Sequence, residues 1–282
     1  MKHCIAALSA LIFMILACGQ AAAQMDQGLT AYWRLDGNGR DSGPLSLDGQ
    51  VTGAVPAQGV SGVPGTALSF DGSEDVVEVP QHPLMDPPAL TVTAWIRPER
   101  SSQWARIVGK YDHASELGWN LHLVSNNYVA FEFWNQAGEY GYVQTVTRLT
   151  PGEWHFLAVT WDGQRLRIYQ DGQLENESPA PGPINPSPEP LTLGSGFDGY
   201  NYWPFTGIID EVRLFARALD QGEIQFLSAH PVQDPSQPDD PAPQDPAGCS
   251  CPDSDHDGVP DAWDGCPGTP PGALTDAQGC PH

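Results

Sequence analysis

Alternating apolar and polar side chains dominate the chain between Leu29 and Leu227. The clearest example is the segment Leu90–Ile96, where apolar residues alternate with threonines, as they do when one face of a strand is buried. The single helix candidate, Leu219–Leu227, is short and lies near the end of this region. About 200 residues with this pattern predict an all-β domain, built as a two-sheet antiparallel jelly-roll sandwich.

Residues 154–175 carry the most specific strand pattern. Trp154–Trp161 and Arg165–Gln170 are separated by Asp162-Gly163, and Asp171-Gly172 then leads into Gln173–Glu175. Asp-Gly between two strands is a strong signal for a two-residue hairpin turn. The segment therefore predicts three consecutive antiparallel strands.

The chain is strongly acidic, with 35 Asp and Glu against 12 Lys and Arg and a formal net charge of −23. Such a surface repels phosphate groups, so we expect neither a nucleic acid nor an anionic membrane as partner. Clustered carboxylates instead favour divalent cations.

The first 23 residues predict a signal peptide. An apolar run, densest at Leu11–Ala17, precedes the small residues Ala21–Ala23, so the mature chain would begin at Gln24. The run is too short for a permanent transmembrane anchor. Alternatively, Ile15–Cys18 resembles a bacterial lipobox, which would leave a lipid anchor on Cys18. Both cuts predict a secreted, extracellular or cell-envelope protein of a bacterium, and lipidation would make it an outer-membrane lipoprotein.

Five segments of the predicted β region share their order and motifs with one family. They are Leu29–Asp36, Leu68–Pro80, Thr91–Pro98, Gly152–Gly163 and Phe205–Leu219. Together they resemble LamG-like, concanavalin A-type domains, which implies a jelly-roll domain over residues 24–228. That family includes lectins, adhesins, accessory modules of glycanases and structural domains, so the resemblance implies a fold and leaves the ligand open.

Residues 229–248 differ in composition, with six Pro and four Asp in twenty positions. Such a segment is a solvated, semi-rigid linker. It predicts a boundary between the sandwich and a small module at residues 249–282.

This C-terminal module contains an acidic loop suited to calcium. Its predicted ligands are Asp253, Asp255, Asp257, the carbonyl of Val259, Asp261 and Asp264. Alternate carboxylates around a tight turn at Gly258 supply the oxygens that Ca²⁺ requires. The segment resembles a thrombospondin type 3 repeat, which also implies Ca²⁺ as the cofactor.

Four cysteines lie in the same module. Disulfides are expected in an exported protein. We expect Cys266 to pair with Cys280, which would stabilise the module by roughly 3 kcal/mol in the chain-entropy model. Cys249 and Cys251 would pair with each other or with another chain.

Candidate sites also occur in the predicted sandwich. Asp210 matches the position near the closing strand where many concanavalin A-type domains hold a structural ion, and Asp71 lies in a loop that could meet it. The alternative is that Asp210 only accepts backbone hydrogen bonds.

Aromatic residues suggest a sugar site. A Gly-rich loop contains Asp198, Tyr200, Asn201, Tyr202 and Trp203, which combine rings for sugar C–H faces with polar groups for hydroxyls. Trp134 and Tyr140 flank a second candidate loop, although both sets of rings could simply cover sheet edges. The expected core tryptophans are Trp33, Trp95, Trp154 and Trp161.

Catalytic patterns are weak. Glycanases need carboxylates that converge on the substrate. Glu74-Asp75 and Asp210-Glu211 are adjacent pairs, and adjacent side chains point to opposite faces of a regular strand. His113, His122 and His155 are far apart in the sequence and are expected to be surface or core residues.

We therefore expect a non-catalytic binding or adhesion protein, with a glycan or glycoprotein on an external surface as partner. The alternatives are a structural spacer that binds only proteins and, less favoured, a glycan-active enzyme.

We expect the double substitution Asp255→Asn/Asp257→Asn to abolish calcium binding by the C-terminal loop, because it removes two charged ligands. Calorimetric titration of the full chain with Ca²⁺ should lose one binding event, of dissociation constant about 10⁻⁴–10⁻³ M. The variant Asp239→Asn/Asp240→Asn loses the same charge in the linker and should keep that event. Identical titrations of the first variant and the wild type would contradict the assignment.

Overall fold

Strands make up most of the regular structure in the computed structural model, which describes residues 27–99, 104–197 and 201–231. Outside these ranges lie the predicted signal peptide, Cys18, most of the linker and the whole of residues 249–282, including the predicted calcium ligands and cysteines.

The described residues form fifteen strands, one α-helix and two short 3₁₀ turns. The strands are β1 (Leu29–Trp33), β2 (Gln50–Thr52), β3 (Val55–Gln58), β4 (Pro64–Asp71), β5 (Val76–Val79), β6 (Leu90–Pro98), β7 (Arg106–Asp112), β8 (Leu117–Val124), β9 (Tyr128–Trp134), β10 (Tyr140–Gln144), β11 (His155–Trp161), β12 (Arg165–Gln170), β13 (Gln173–Pro179), β14 (Leu191–Leu193) and β15 (Thr206–Phe215). The helix is α1 (Gln221–Ala229), and the 3₁₀ turns are Pro83–Met85 and Ser125–Asn127.

Two antiparallel sheets form a sandwich. The eight-stranded sheet has the order β13-β12-β11-β6-β15-β4-β3, with β1 paired to β15, and the seven-stranded sheet has the order β10-β9-β8-β7-β14-β5-β2. This arrangement confirms the predicted all-β jelly-roll fold. The predicted hairpins at Asp162-Gly163 and Asp171-Gly172 join β11, β12 and β13, which pair in sequence.

The core between the sheets is rich in aromatic rings. Trp33 and Trp161 are buried there as predicted, and Trp161 meets Phe133 of the opposite sheet with ring centroids 5.4 Å apart. The prediction is wrong for Trp95 and Trp154, which are half-buried outside the core. Trp95 lies between two core residues of β6, Ala94 and Ile96, so strand alternation turns it to the other face.

The predicted helix starts two residues later than the sequence suggested. Asp220 is its N-cap and forms a capping box with Glu223, so the helix itself begins at Gln221. Within the described ranges, no helix combines the length and apolar character needed to span a membrane.

A bulge interrupts β15 at its adjacent carboxylates. The register shifts between Asp210 and Arg213, and Glu211 adopts a φ of 53°. The expectation that Asp210 and Glu211 point to opposite faces assumed a regular strand, whereas here both carboxylates are buried, each 2% exposed. Glu211 accepts hydrogen bonds from the Tyr32 hydroxyl and from Arg213.

The buried carboxyl group of Asp210 has fewer side-chain partners than that of Glu211. Its Oδ2 accepts a hydrogen bond from the Val60 N–H at 2.9 Å, and its buried Oδ1 has no partner among the described residues. Burial and the neighbouring charge of Glu211 raise the pKa of Asp210 to about 8. The native state therefore favours the protonated carboxyl.

We expect Asp210→Asn to reduce the loss of stability that the protein suffers as the pH rises. The folded-state pKa lies above the unfolded value of about 3.9. The proton therefore stabilises the native state fully below about pH 4, and this contribution is lost as the pH rises through about 8. Thermal unfolding in EDTA should show a smaller fall in Tm between about pH 5 and pH 8.5 for the variant than for the wild type. The exposed carboxylate variant Glu153→Gln is the control, and equal falls in wild type and Asp210→Asn would refute the assignment.

Candidate ligand-binding site

One face of the seven-stranded sheet points away from the core and carries polar and aromatic side chains. In β8, Trp119 and Leu121 lie in the core, so strand alternation places Asn120 and His122 on the other face. The same alternation applies to β9 and β10. We call this side of the sheet the polar face. Its centre is buried, with Asn120, His122, Ala130 and Glu132 each at most 6% exposed, and its more accessible members are Trp134, Tyr140, Tyr142 and Gln144.

A chain of hydrogen bonds crosses the polar face from β7 to β10. Arg106 donates from Nε to Asn120 Oδ1 at 3.1 Å and from Nη1 to Thr192 Oγ1 at 3.3 Å. Asn120 Nδ2 donates to Glu132 Oε1 at 3.3 Å, and the Tyr140 hydroxyl donates to Glu132 Oε2. The Glu132 carboxylate is therefore held in a fixed orientation by residues from the neighbouring strands.

The Tyr140 hydroxyl remains a donor in this chain at ordinary pH. Burial raises the pKa of Tyr140 well above its usual value, and the adjacent charge of Glu132 raises it further. The residue is 46% exposed, so Tyr140 is accessible to solvent while its hydroxyl binds inward.

Five rings follow one another at one end of the polar face. Their centroids are separated by 6.0 Å (Tyr111 to His113), 6.4 Å (His113 to Trp134), 5.1 Å (Trp134 to Tyr140) and 6.0 Å (Tyr140 to Tyr142). We call this set the aromatic row. The buried Trp134 Nε1 has no hydrogen-bond partner among the described residues. Tyr111 is buried, whereas His113 and Tyr140 are exposed, so the row combines accessible rings with an unused donor.

His122 lies at the other end of the polar face, below Trp104. It is fully buried, and neither ring nitrogen has a hydrogen-bond partner in the described part of the chain. Glu132 Oε1 lies 3.6 Å from its Nδ1. Burial lowers the pKa of His122, and the positive charge of Arg106 adds to this effect, while Glu132 opposes it. The ring is therefore neutral at physiological pH.

Two tryptophans cover this end. The Trp104 ring stacks on His122 with centroids 5.5 Å apart and an interplanar angle of 22°, and Trp203 lies 6.4 Å from Trp104. Trp104 is 40% exposed and has a φ of 64°, which is unfavourable for a residue with a bulky side chain. We call Trp104 and Trp203 the tryptophan pair.

The Gly-rich loop predicted from the sequence lies beside the polar face. Trp203 belongs to the tryptophan pair, and its carbonyl accepts a hydrogen bond from the Arg106 N–H at 2.9 Å. Gly196 leaves room for the Arg106 guanidinium, since a Cβ there would lie 2.0 Å from Arg106 Nη1. Tyr202 is 72% exposed and packs on Phe197 with centroids 5.1 Å apart.

Not all of the predicted loop residues are described. Asn201 is exposed, whereas Asp198 and Tyr200 lie outside the described residues. Of the predicted ligand-binding residues, the structure places Trp134 and Trp203 at opposite ends of the polar face. Sequence reasoning missed Glu132, Asn120 and Arg106, because a polar residue at alternate positions of a strand is also the ordinary pattern of a solvent-facing side.

Asp71 and Asp210 are not brought together. Asp71 pairs with Thr206 across β4 and β15, and Asp210 is four residues further along β15, or about 13 Å away at the usual rise per residue. Asp71 Oδ1 instead accepts a hydrogen bond from the Ser73 N–H at 2.8 Å. Within the described ranges, no three His, Cys, Asp or Glu side chains group in a way that could hold a metal ion. These residues therefore do not supply the ligand set that the resemblance implied.

Parts of this chain are similar to known proteins. Human pappalysin-1 is 28% identical over 179 residues, which are 57% of this chain and 11% of that protein, so the chain matches about a tenth of its relative's length. Among solved structures, the binding domain of Paraclostridial Mosquitocidal Protein 1 superposes with a TM-score of 0.61 at 15% identity, over 73% of this chain and 52% of that one.

A second solved structure is domain 4 of AbnA, a GH43 extracellular arabinanase from Geobacillus stearothermophilus, in complex with arabinotriose. Its TM-score is 0.56 at 21% identity, over 71% of this chain and 98% of that one. At 15% and 21% identity, these two structural similarities show a shared fold and nothing further. The sequence profile of one family, the concanavalin A-like lectin/glucanases superfamily (Laminin_G_3), matches residues 71–225. Since this match covers more than half of the chain, the protein belongs to the concanavalin A-like lectin/glucanase superfamily.

Proposed function

We propose that this protein is a non-catalytic glycan-binding module whose ligand lies on the polar face. The observation that carries the proposal is the aromatic row beside the oriented Glu132. Aromatic rings pack against the C–H faces of a sugar, and Glu132 holds the Tyr140 ring in this row by accepting a hydrogen bond from its hydroxyl. Binding sites for small polar ligands typically combine such apolar surfaces with a few placed polar groups.

The hydrogen bonding of Glu132 argues against a hydrolytic role. Glycoside hydrolysis requires two carboxyl groups about 5–9 Å apart, one of them able to donate a proton. Both oxygens of Glu132 accept hydrogen bonds, from Asn120 and from Tyr140, and the residue is only 5% exposed, so neither oxygen is free to act on a substrate. Its role here is to fix the Tyr140 side chain in the aromatic row.

Proteins of similar fold support a binding role. The AbnA domain was solved with arabinotriose, and the binding domain of Botulinum Neurotoxin DC, with a TM-score of 0.53, was solved in complex with SialylT. Another structure of that toxin domain, with a TM-score of 0.55, contains rat synaptotagmin II. The fold therefore accommodates both sugar and protein partners.

A protein partner is the second candidate function. Phe197 and Tyr202 pack together and are 48% and 72% exposed, so they form an apolar projection beside the tryptophan pair. Exposed apolar groups of this kind are common in protein interfaces. A glycoprotein would engage both surfaces.

We also propose that the protein is exported and that its C-terminal module binds calcium. The support for export is the apolar N-terminal segment with its small residues at 21–23, and the support for calcium is the register of the carboxylates in residues 253–264. In this proposal the linker presents the sandwich to a glycan on an external surface.

We expect Trp134→Ala and Tyr140→Ala each to weaken glycan binding by at least about tenfold, equivalent to about 1.4 kcal/mol, because each removes a ring of the aromatic row. A glycan array followed by calorimetry on the best ligand measures the effect. The matched control is Trp154→Ala, which removes a half-buried tryptophan near the other sheet and should bind like the wild type.

Tyr140→Phe separates the two roles of this residue. It keeps the ring and removes the hydroxyl that orients Glu132, so its binding should fall between those of the wild type and Tyr140→Ala. Unchanged binding in both alanine variants would move the site elsewhere. A folded protein that binds no glycan but retains a protein partner would favour the second function.

A further inference from the structure

We infer that a pocket at the edge of the sandwich receives an arginine side chain of a protein partner. The pocket has a volume of about 270 Å³ and lies between the turn that joins β9 to β10 and the segment at the end of β13. Its lining residues are Phe133, Asn135, Glu139, Tyr140, Gly141, Pro179, Ala180 and Pro181. This is a second site, and the inference does not depend on the proposed glycan.

The pocket is the open end of a seam between the two sheets. β10 and β13 are each the last strand of their sheet, and their edges face each other. At one end of the seam, Asn176 Nδ2 donates to the Gln144 carbonyl at 3.0 Å, and the Thr147 N–H donates to Glu175 Oε2 at 2.7 Å. These bonds close that end. The pocket occupies the other end, where the chain has reached Tyr140 on β10 and Pro179 on β13.

Gly141 leaves this end open because it has no side chain. Val143, two residues further along β10, lies in the core, so strand alternation points position 141 to the same inner side. A Cβ at Gly141 would lie 2.6 Å from Cε1 of Phe133, the core ring at the base of the pocket. Any larger residue at position 141 would therefore displace this ring and fill the opening.

Hydrogen bonds hold both walls of the pocket in place. The Ala180 carbonyl accepts a hydrogen bond from Trp161 Nε1 at 2.9 Å. The buried Asn135 joins the two walls, since its Nδ2 donates to the Pro181 carbonyl and to Glu139 Oε2, both at 2.8 Å. The pocket is therefore formed before a ligand arrives, which lowers the entropy lost on binding.

Glu139 gives the mouth of the pocket a negative charge. The residue is exposed, and within the described ranges its carboxylate has no cationic partner. Arg165 lies opposite Pro179 on the neighbouring strand, but its Nη1 pairs with Glu177 Oε1 at 2.9 Å. The whole chain carries a formal net charge of −23, so its long-range field also attracts a basic partner.

Arginine matches these groups better than other side chains do. Its methylene stem packs on apolar surface, which Pro179 and Pro181 supply. Its planar guanidinium forms paired hydrogen bonds with a carboxylate such as Glu139 and stacks on aromatic rings such as Tyr140, which is 46% exposed. Lysine has the same charge but lacks the flat surface and the fork of donors.

The size of the pocket indicates a protein as the source of the arginine. Pockets that hold complete small ligands typically measure about 300–1,000 Å³, so a smaller pocket suits a single side chain. Arginine is among the residues that most often anchor protein interfaces by filling such pockets. The turn at residues 136–139 is exposed beside the mouth and would form part of the polar rim of the interface.

The first test is an NMR titration of the isotope-labelled full-length protein with short blocked peptides. The probes are acetyl-Gly-Arg-Gly-amide and the same peptide with citrulline, which has the shape of arginine without its charge, or with lysine. We expect the arginine peptide to shift the amide signals of Gly141 and Ala180 and to bind at least about fivefold more tightly than the citrulline peptide, the factor expected for an accessible ion pair. The lysine peptide should bind more weakly than the arginine peptide.

Several outcomes of the titration would overturn the inference. Equal affinity for arginine and citrulline would remove the role of charge, and equal affinity for arginine and lysine would remove the preference for a guanidinium. Shifts confined to other residues, or no binding, would remove the site. Agmatine has the same guanidinium without a peptide backbone. If it binds more tightly than the arginine peptide, the pocket serves a small molecule and the assignment to a protein partner is wrong.

A matched pair of variants tests the carboxylate. Glu139→Gln keeps an oxygen for Asn135 and removes the charge, so affinity for the arginine peptide should fall at least about fivefold. The control Glu153→Gln makes the same change at an exposed residue before β11. β11 ends at Trp161, beside the pocket, and is about 20 Å long at the usual rise per residue. The control should bind like the wild type, and an equal loss in both variants would mean that only the net charge matters.

A charge swap keeps the inference testable in the other direction. Glu139→Lys should lose binding of the arginine peptide and instead bind acetyl-Gly-Glu-Gly-amide. The variant should fold, because Asn135 keeps its bond to the Pro181 carbonyl and still accepts from the Ala137 and residue-139 N–H groups at 2.9 and 2.8 Å. Circular dichroism spectra that match the wild type establish this. A folded Glu139→Lys variant that binds the arginine peptide like the wild type would contradict the inference.

Discussion

The alternation of side chains along β8 and β9 is the constraint on which the rest of the structure depends. Trp119 and Phe131 stack in the core with centroids 5.9 Å apart, and Phe133 reaches Trp161 of the other sheet. Shifting either strand by one residue would turn these rings out of the core and turn the polar side chains into it. The large free energy of burying the aromatic core therefore determines that Asn120 and Glu132 lie together on the opposite face.

Polar side chains that are placed on this face still need hydrogen-bond partners. Arg106 meets this requirement for several of them, since it donates to Asn120, to Thr192 and to the Tyr111 carbonyl. Because the bonds to Asn120 and Thr192 join β7 to β8 and β14, and Asn120 donates in turn to Glu132, the network also orients Glu132 rigidly. The ring nitrogens of His122 and Trp134 are exceptions, since these buried atoms have no hydrogen-bond partner among the described residues.

Local sequence patterns predicted much of the fold but less of the site. The Asp-Gly turns and the strands around them were predicted closely, since turn chemistry depends on adjacent residues. The prediction that Trp95 lies in the core was wrong, because the face of β6 to which it points depends on the phase of the alternation, which the residue type does not reveal. Asp210 and Glu211 were expected to lie in a regular strand, but β15 has a bulge there. The bulge depends on how β15 pairs with its neighbours on both sides, which the local sequence does not reveal.

The sequence by itself determined the fold class, the hairpins and two of the core tryptophans, because the period of two and the turn residues are local properties of the chain. Only the tertiary structure decided the candidate site. Its hydrogen-bonded side chains come from four strands: Arg106, Asn120, Glu132 and Tyr140. Thr192, which bonds to Arg106, is 86 positions away from it in the sequence. The register between such strands depends on how the whole core packs, so their side chains meet only after the two sheets have formed.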